Sequence, residues 1–148
     1  MSKKFKGRVV LSGNLSGKAT VSRQAFNTSG SYMENMFAGR TDAAPCTDAS
    51  NKELFGKDLS GAILCVPTTV GSTMGGMCLM GMKAIGVGPQ AMLFSKPIDT
   101  LAAAGVLMSD IWKDARIVTI DMLGDEFLET VQMGDPIAVH EDGTVEVG

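Results

Sequence analysis

Three short apolar runs constrain this chain more than anything else in it: residues 59–67 (LSGAILCVP), 90–95 (QAMLFS) and 115–122 (ARIVTIDM). Each is rich in branched or large apolar residues and is bounded by glycine, proline or polar residues. Such runs read as strands buried on both faces. Between the first two lies residues 74–86 (MGGMCLMGMKAIG), a helix of poor propensity. Gly75, Gly76 and Gly81 each cost roughly 1 kcal/mol relative to Ala inside a helix, so packing must compensate. Between the second and third lies residues 97–110 (PIDTLAAAGVLMSD), with Pro97 near the start and Asp99 or Thr100 as the cap. The order strand–helix–strand–helix–strand predicts an α/β domain with a parallel sheet and right-handed crossovers.

Both ends are β-rich. Residues 7–23 (GRVVLSGNLSGKATVSR) read as two short strands around a turn bracketed by Gly13 and Gly17. Residues 136–147 (PIAVHEDGTVEV) read as a hairpin turning at Glu141-Asp142-Gly143, preceded by a short helix within 124–135 that ends near Gly134. The terminal strands are expected to form a second sheet or to extend the first. Residues 25–51 lack apolar periodicity and read as one long polar loop, a feature usually tied to function. No linker or repeat interrupts the chain, so residues 1–148 are expected to be one domain.

Composition removes several classes of partner. A net charge of -3 and a pI near 5.1 argue against nucleic acid and anionic membranes. The basic stretch MSKKFKGR is too short to hold a polyanion and reads as a solvated lead-in. No apolar run reaches the roughly 18–20 residues of a membrane span, and no signal peptide is visible, so a cytoplasmic location is expected. Three cysteines, with no C-x-x-C pair, argue against a disulfide framework or a self-contained zinc or iron–sulfur site. Eleven methionines and eighteen glycines beside 5% aromatics point to a domain that packs against something else.

Ligands of α/β sheets gather at the carboxyl ends of the strands. The first parallel strand ends at Pro67, which places the loop TTVGSTMGG (68–76) there. A helix starting near Ser72–Met74 would aim its free N–H groups into that loop and favour an anion. Ser72 and Thr73 are then either caps or reactive groups, and the glycines admit close backbone approach. The P-loop pattern is absent. His140 is a possible base or phosphoryl carrier, or a solvated hairpin residue. Asp110, Asp114, Asp121, Asp125 and Glu126 lack the spacing of a metal loop and read as a charged face. Arg40, Asp42 and Asp48 read as salt-bridged or partner-facing loop residues. Cys65 and Cys78 lie in apolar runs and are expected to be packed, whereas Cys46 lies in a polar loop that could reach a neighbouring chain.

Taken together, GRVVLSGNLSGKATVSR, LFGKDLSGAILCVPTTVGSTMGG and GDPIAVHEDGTVEVG resemble the small subunit of the aconitase X family, the swivel domain of a dehydratase related to aconitase. The resemblance spans nearly the whole chain. It implies a swivelling β/β/α fold with a mostly parallel inner sheet. It also implies the small subunit of a two-chain enzyme, whose large catalytic subunit carries most ligands of an iron–sulfur cluster and much of the substrate pocket. Bacterial members resemble cis-3-hydroxy-L-proline dehydratases and archaeal members phosphomevalonate dehydratases. The methionine content and the lack of a Glu/Lys-rich pattern favour the former, a hydro-lyase yielding Δ1-pyrroline-2-carboxylate. The family's reactive serine maps onto Ser72. As an alkoxide it would remove the proton α to the carboxylate while the cluster iron acts as a Lewis acid on the 3-hydroxyl. Gly71, Thr73 and Gly75 would contact the small hydroxy-acid substrate, and Cys46 is the one cluster ligand this chain would add. The competing readings are a phosphomevalonate dehydratase small subunit, a non-catalytic scaffold domain with Ser72 as a mere cap, and a phosphohistidine swivel domain using His140.

Overall fold

The computed structural model describes residues 2–148 and resolves them into ten strands and five helices. The chain begins with β1 (Lys3–Lys6), β2 (Arg8–Leu11), β3 (Leu15–Val21) and β4 (Phe26–Asn27), followed by the short helices α1 (Thr28–Ser31) and α2 (Met33–Phe37). The three apolar runs become β5 (Ile63–Val66), then, after β6 (Thr69–Val70) and α3 (Gly75–Ala84), β7 (Ala91–Phe94), and, after α4 (Thr100–Lys113), β8 (Val118–Asp121). Helix α5 (Asp125–Thr130) and the hairpin β9 (Pro136–Val139)–β10 (Thr144–Val147) complete it.

Eight strands form one sheet in the order β1-β10-β9-β3-β5-β7-β8-β2, and β4 pairs with β6 beside it. The predicted crossovers are present: β3, β5, β7 and β8 run parallel. The sheet is nevertheless mixed rather than mostly parallel, with four antiparallel pairings against three parallel ones. The terminal strands extend the central sheet instead of building a second one, and each joins it antiparallel. The two strands in residues 7–23 are present but make no hairpin, because β2 pairs with β8 while β3 lies between β9 and β5.

Residues 3–6 of the basic lead-in are no loose tail: their lysines are exposed, but Phe5 is buried. These residues form β1, and only Gly7 separates it from β2 at the opposite end of the strand order. One extended stretch thus serves both sheet edges and wraps the sheet into a largely closed barrel. Gly7 sits at the seam: its N–H donates to Gly143 O at 3.0 Å, and an added Cβ would lie 2.5 Å from Asp121 O. Side-chain alternation along the strands then builds two cores. Ile63, Cys65, Ala91, Leu93, Val118 and Ile120 point into the barrel with Phe5 and Phe127, whose rings meet edge-to-face at 5.4 Å. Leu64, Val66, Met92 and Phe94 point outward beneath α3 and α4.

Close packing explains why the glycine-rich run is a helix at all. An added Cβ at Gly76 would lie 2.7 Å from Leu101 O, and one at Gly105 would lie 2.9 Å from Gly76 O. Helices α3 and α4 therefore meet backbone to backbone. The polar segment after β3 is also more ordered than its letters imply. Asn27 caps α1 by accepting from Gly30 N–H at 3.0 Å, and Phe26, Tyr32, Ala44, Cys46, Leu54 and Leu59 are buried under the segment. Among the described residues no helix is long and apolar enough to cross a membrane.

Candidate functional site

Because β5, β7 and β8 are parallel, the loops that follow them open on one edge of the sheet. Backbone hydrogen bonds stitch these loops together: Lys96 N–H donates to Pro67 O at 3.3 Å and Met122 N–H to Lys96 O at 3.2 Å. The first loop carries Ser72. After Pro67, residues 69–70 run as β6 alongside β4, with Phe26 opposite Thr69 and Asn27 opposite Val70. The chain then reverses at Gly71, which has φ +107° and lies so close to the Asn27 amide that an added Cβ would land on Oδ1. Only glycine tolerates both conditions.

That reversal delivers Ser72 to the surface at the N-terminal end of α3. Its Oγ accepts from Met74 N–H at 3.1 Å, and its carbonyl accepts from Gly75 N–H at 2.9 Å. The N-cap position itself belongs to Met74, which makes no side-chain cap. Ser72 thus closes the turn that leads into α3, with its hydroxyl exposed near the positive end of the helix. Thr73 is exposed beside it. Gly75 is buried against Thr28 and offers the loop its N–H rather than a free face. Gly71, Ser72 and Thr73 therefore share one exposed turn, and Gly75 forms its floor.

The base of the loop is held by a residue whose second role the sequence did not disclose. Asp99 caps α4 by accepting from Ala102 N–H at 3.1 Å, and it also accepts from Thr69 N–H at 3.0 Å and Thr69 Oγ1 at 2.7 Å. An aspartate before an apolar helix reads as a cap and nothing more. The Thr68-Thr69 pair after Pro67 was the available signal for a second acceptor. Asn27, which backs Gly71, left no comparable signal.

Around the turn the surface is apolar. Val70, Met74 and Met77 are exposed, and a cavity of about 420 Å³ beside Met74 is lined by Asn35, Met36, Met77, Cys78 and Met82. Lys96, exposed on the same edge, is in no ion pair among the described residues.

The cysteines are not at the surface. Cys46 is 2% exposed, and its backbone is pinned by Lys57 O and Gly56 N–H at 2.8 Å each. The surface position expected for it is therefore corrected: Pro45 bridges to Asp58, and the segment folds inward over Leu54 and Leu59. Burial pushes the Cys78 thiol up to about 11 and the Cys65 thiol higher still. Cys78 Sγ lies 3.3 Å from Met36 Sδ. No three His, Cys, Asp or Glu side chains among the described residues gather to hold a metal, so this donor set does not fit an iron–sulfur cluster.

His140 lies elsewhere. Val139 pairs with Leu15 at the start of β3, which puts His140 at the amino ends of the parallel strands, opposite Ser72. Its Nε2 is 2.6 Å from Glu146 Oε2. Asp121 is fully buried and clamped by Arg8 through both carboxylate oxygens, at 2.9 and 2.6 Å. The charged-face reading is thus corrected for Asp121, whereas Arg116 pairs with Asp110, and Arg40 with Asp42 and Glu34, in surface ion pairs.

Residues 4–147 match the family model described as the aconitase X swivel domain. The small subunit of phosphomevalonate dehydratase from Archaeoglobus fulgidus is 30% identical over 97% of this chain and 98% of its own length. The corresponding subunit from Methanocella arvoryzae is 29% identical over 97% of this chain and 96% of its own. The crystal structure of Thermococcus kodakaraensis aconitase X in its holo-form superposes with a TM-score of 0.80 at 26% identity, covering 99% of this chain and 98% of that one. These three relatives are archaeal.

Proposed function

Because this chain belongs to the aconitase X swivel-domain family, we propose that it is the small subunit of a two-chain hydro-lyase. In this reading it brings Ser72 to the dehydration of a small hydroxy acid, cis-3-hydroxy-L-proline. One observation carries the reading: an exposed serine hydroxyl stands at a helix N-terminus on the carboxyl edge of parallel strands, held by a glycine turn. Ser72 Oγ, as the alkoxide, takes the proton α to the substrate carboxylate. The C–H electron pair forms the ring double bond and the 3-hydroxyl leaves as water with one further proton. The resulting enamine tautomerises to Δ1-pyrroline-2-carboxylate. A serine alkoxide is too basic to exist unaided in water. The Met74 N–H and the α3 dipole supply fixed positive potential where that charge develops.

The three buried thiols do not make a cluster site, so the iron–sulfur cluster of this reading is assigned to the large subunit. Cys46 would join it only if the segment over Leu54 and Leu59 opened. The apolar rim of Val70, Met74 and Met77 fits a protein partner closing over the loop. Lys96, exposed on this edge and in no ion pair among the described residues, could meet the substrate carboxylate.

The test is Ser72→Ala in the assembled complex. Turnover should fall by about 10²–10⁴-fold, the range of a lost general base, with the cluster's visible absorption and the subunit ratio unchanged. Near wild-type turnover would remove Ser72 as the base. A second reading, the small subunit of a phosphomevalonate dehydratase, is favoured by what the Archaeoglobus and Methanocella relatives are. Supplying the complex with each substrate in turn separates the two.

A further inference from the structure

We propose that Asp99 is the positioning residue for Ser72, and that helix α4 acts as the template on which the serine turn is stretched. The proposal deepens the serine-base reading and rests on it for its catalytic arm.

The geometry begins with the two oxygens of one carboxylate. Oδ2 faces α4 and accepts from Ala102 N–H at 3.1 Å, the ordinary work of an N-cap. Oδ2 is shared with the serine turn, since Thr69 Oγ1 also donates to it at 2.8 Å, whereas Oδ1 serves the start of that turn alone. Oδ1 accepts from Thr69 N–H at 3.0 Å, Thr69 Oγ1 at 2.7 Å and Thr68 Oγ1 at 3.3 Å. Capping alone needs one oxygen, and serine or asparagine supplies it as well as aspartate does. The second oxygen is therefore spent on the turn. Burial pushes this carboxyl up, but the hydrogen bonds from Thr69 and Ala102 outweigh it and hold the group below the ordinary carboxylate range. It stays an acceptor on both oxygens at neutral pH.

The far side of the turn ends on the same helix. Four residues past Ser72, Gly76 meets α4 with no side chain between them, beside Leu101 O and Gly105 N. Residues 69 and 76 are thus both fixed to the first two turns of α4, one through the Asp99 carboxylate and one through bare backbone contact. Ser72 lies midway between these anchors. Releasing the first anchor leaves the half of the turn that carries Gly71 and Ser72 held only by the two-residue β4–β6 pairing, while the second anchor stays intact.

Asp99→Ser separates the two roles. A serine can still accept from Ala102 N–H, but its single short side chain cannot also hold Thr69. In the assembled two-chain enzyme this variant should melt within a few degrees of wild type and keep KM within about threefold. Its kcat should drop roughly 10–100-fold, the scale expected when a reacting group is displaced by about an ångström. Asp99→Asn, with one acceptor oxygen, should fall between. Thr69→Val should add little further loss once Asp99 is serine, because both changes cut the same tie.

A second readout does not depend on catalysis. Amide hydrogen exchange in the complex should speed at least tenfold at Thr69, Met74 and Gly75 in Asp99→Ser, while α4 amides such as Val106 keep their protection. Unchanged exchange at those three amides would overturn the proposal whatever the activity. So would wild-type kcat in Asp99→Ser, provided Ser72→Ala is inactive. If Ser72→Ala is itself fully active but the exchange pattern appears, the base reading fails and the positioning role of Asp99 stands.

Discussion

At Gly71 the requirements of backbone and neighbour coincide. A φ of +107° is strained for any L-residue, and the space where a Cβ would go is filled by the Asn27 amide. Gly71→Ala should therefore cost about 1–3 kcal/mol of stability if the turn holds, or displace Ser72 if it does not. A denaturation midpoint and a kcat measured on the same variant distinguish these outcomes. Ser72 itself was legible in the sequence: a hydroxyl between glycines, just after a buried strand and just before a helix, has few other places to be. Cys46 was not. The letters around it, AAPCTD, are polar enough for a surface, and its burial depends on Leu54 and Leu59, which a local reading does not connect to it. Asp99 was half legible, because the cap is local whereas the tie to Thr69 spans thirty positions.

Helices α3 and α4 show the same division between local and distant information. Residues 75–84 carry three glycines and no clear apolar stripe, so the helix was legible from its place between two buried strands rather than from its own letters. Which glycine was needed was not legible, since that depends on what crosses it. A Cβ added at Gly76 would lie 2.7 Å from Leu101 O and 3.2 Å from Gly105 N, whereas nothing lies within 4 Å of one added at Gly81. The two should therefore respond oppositely to alanine. Gly81→Ala should stabilise the chain by about 0.5–1 kcal/mol through helix propensity. Gly76→Ala should destabilise it by about 1–3 kcal/mol by forcing the helices apart. Urea midpoints of the two variants check this, and equal shifts of one sign would contradict the close crossing. The segment after β3 was read as loop because α1 and α2 are too short to carry a period.

Over the whole molecule, the parallel centre was written in three apolar runs, while the closure of the sheet was hidden in a stretch that looks like a charged tail. Within β1 only Phe5 is apolar, and one residue sets no pattern. It is nevertheless buried against Phe127 in the barrel core. Phe5→Ala should cost about 3–5 kcal/mol, far more than removing any of its charged neighbours. Thermal unfolding of Phe5→Ala beside Lys4→Ala measures the contrast. The exposed pairs Lys3–Glu126 and Lys6–Asp142 contribute little by comparison.

The strand stretch that closes the barrel also sets a schedule for synthesis. Residues 3–11 leave the ribosome well before their partners β8 and β10, which lie more than a hundred positions further along. Until those strands are made, this stretch has none of its native partners to pair with, the kind of segment that neighbouring nascent chains can capture. Lys3, Lys4, Lys6 and Arg8 make it a self-repelling one. Their modest worth in the finished barrel is thus no measure of their use: they guard a strand that must wait for β8 and β10 to find its place.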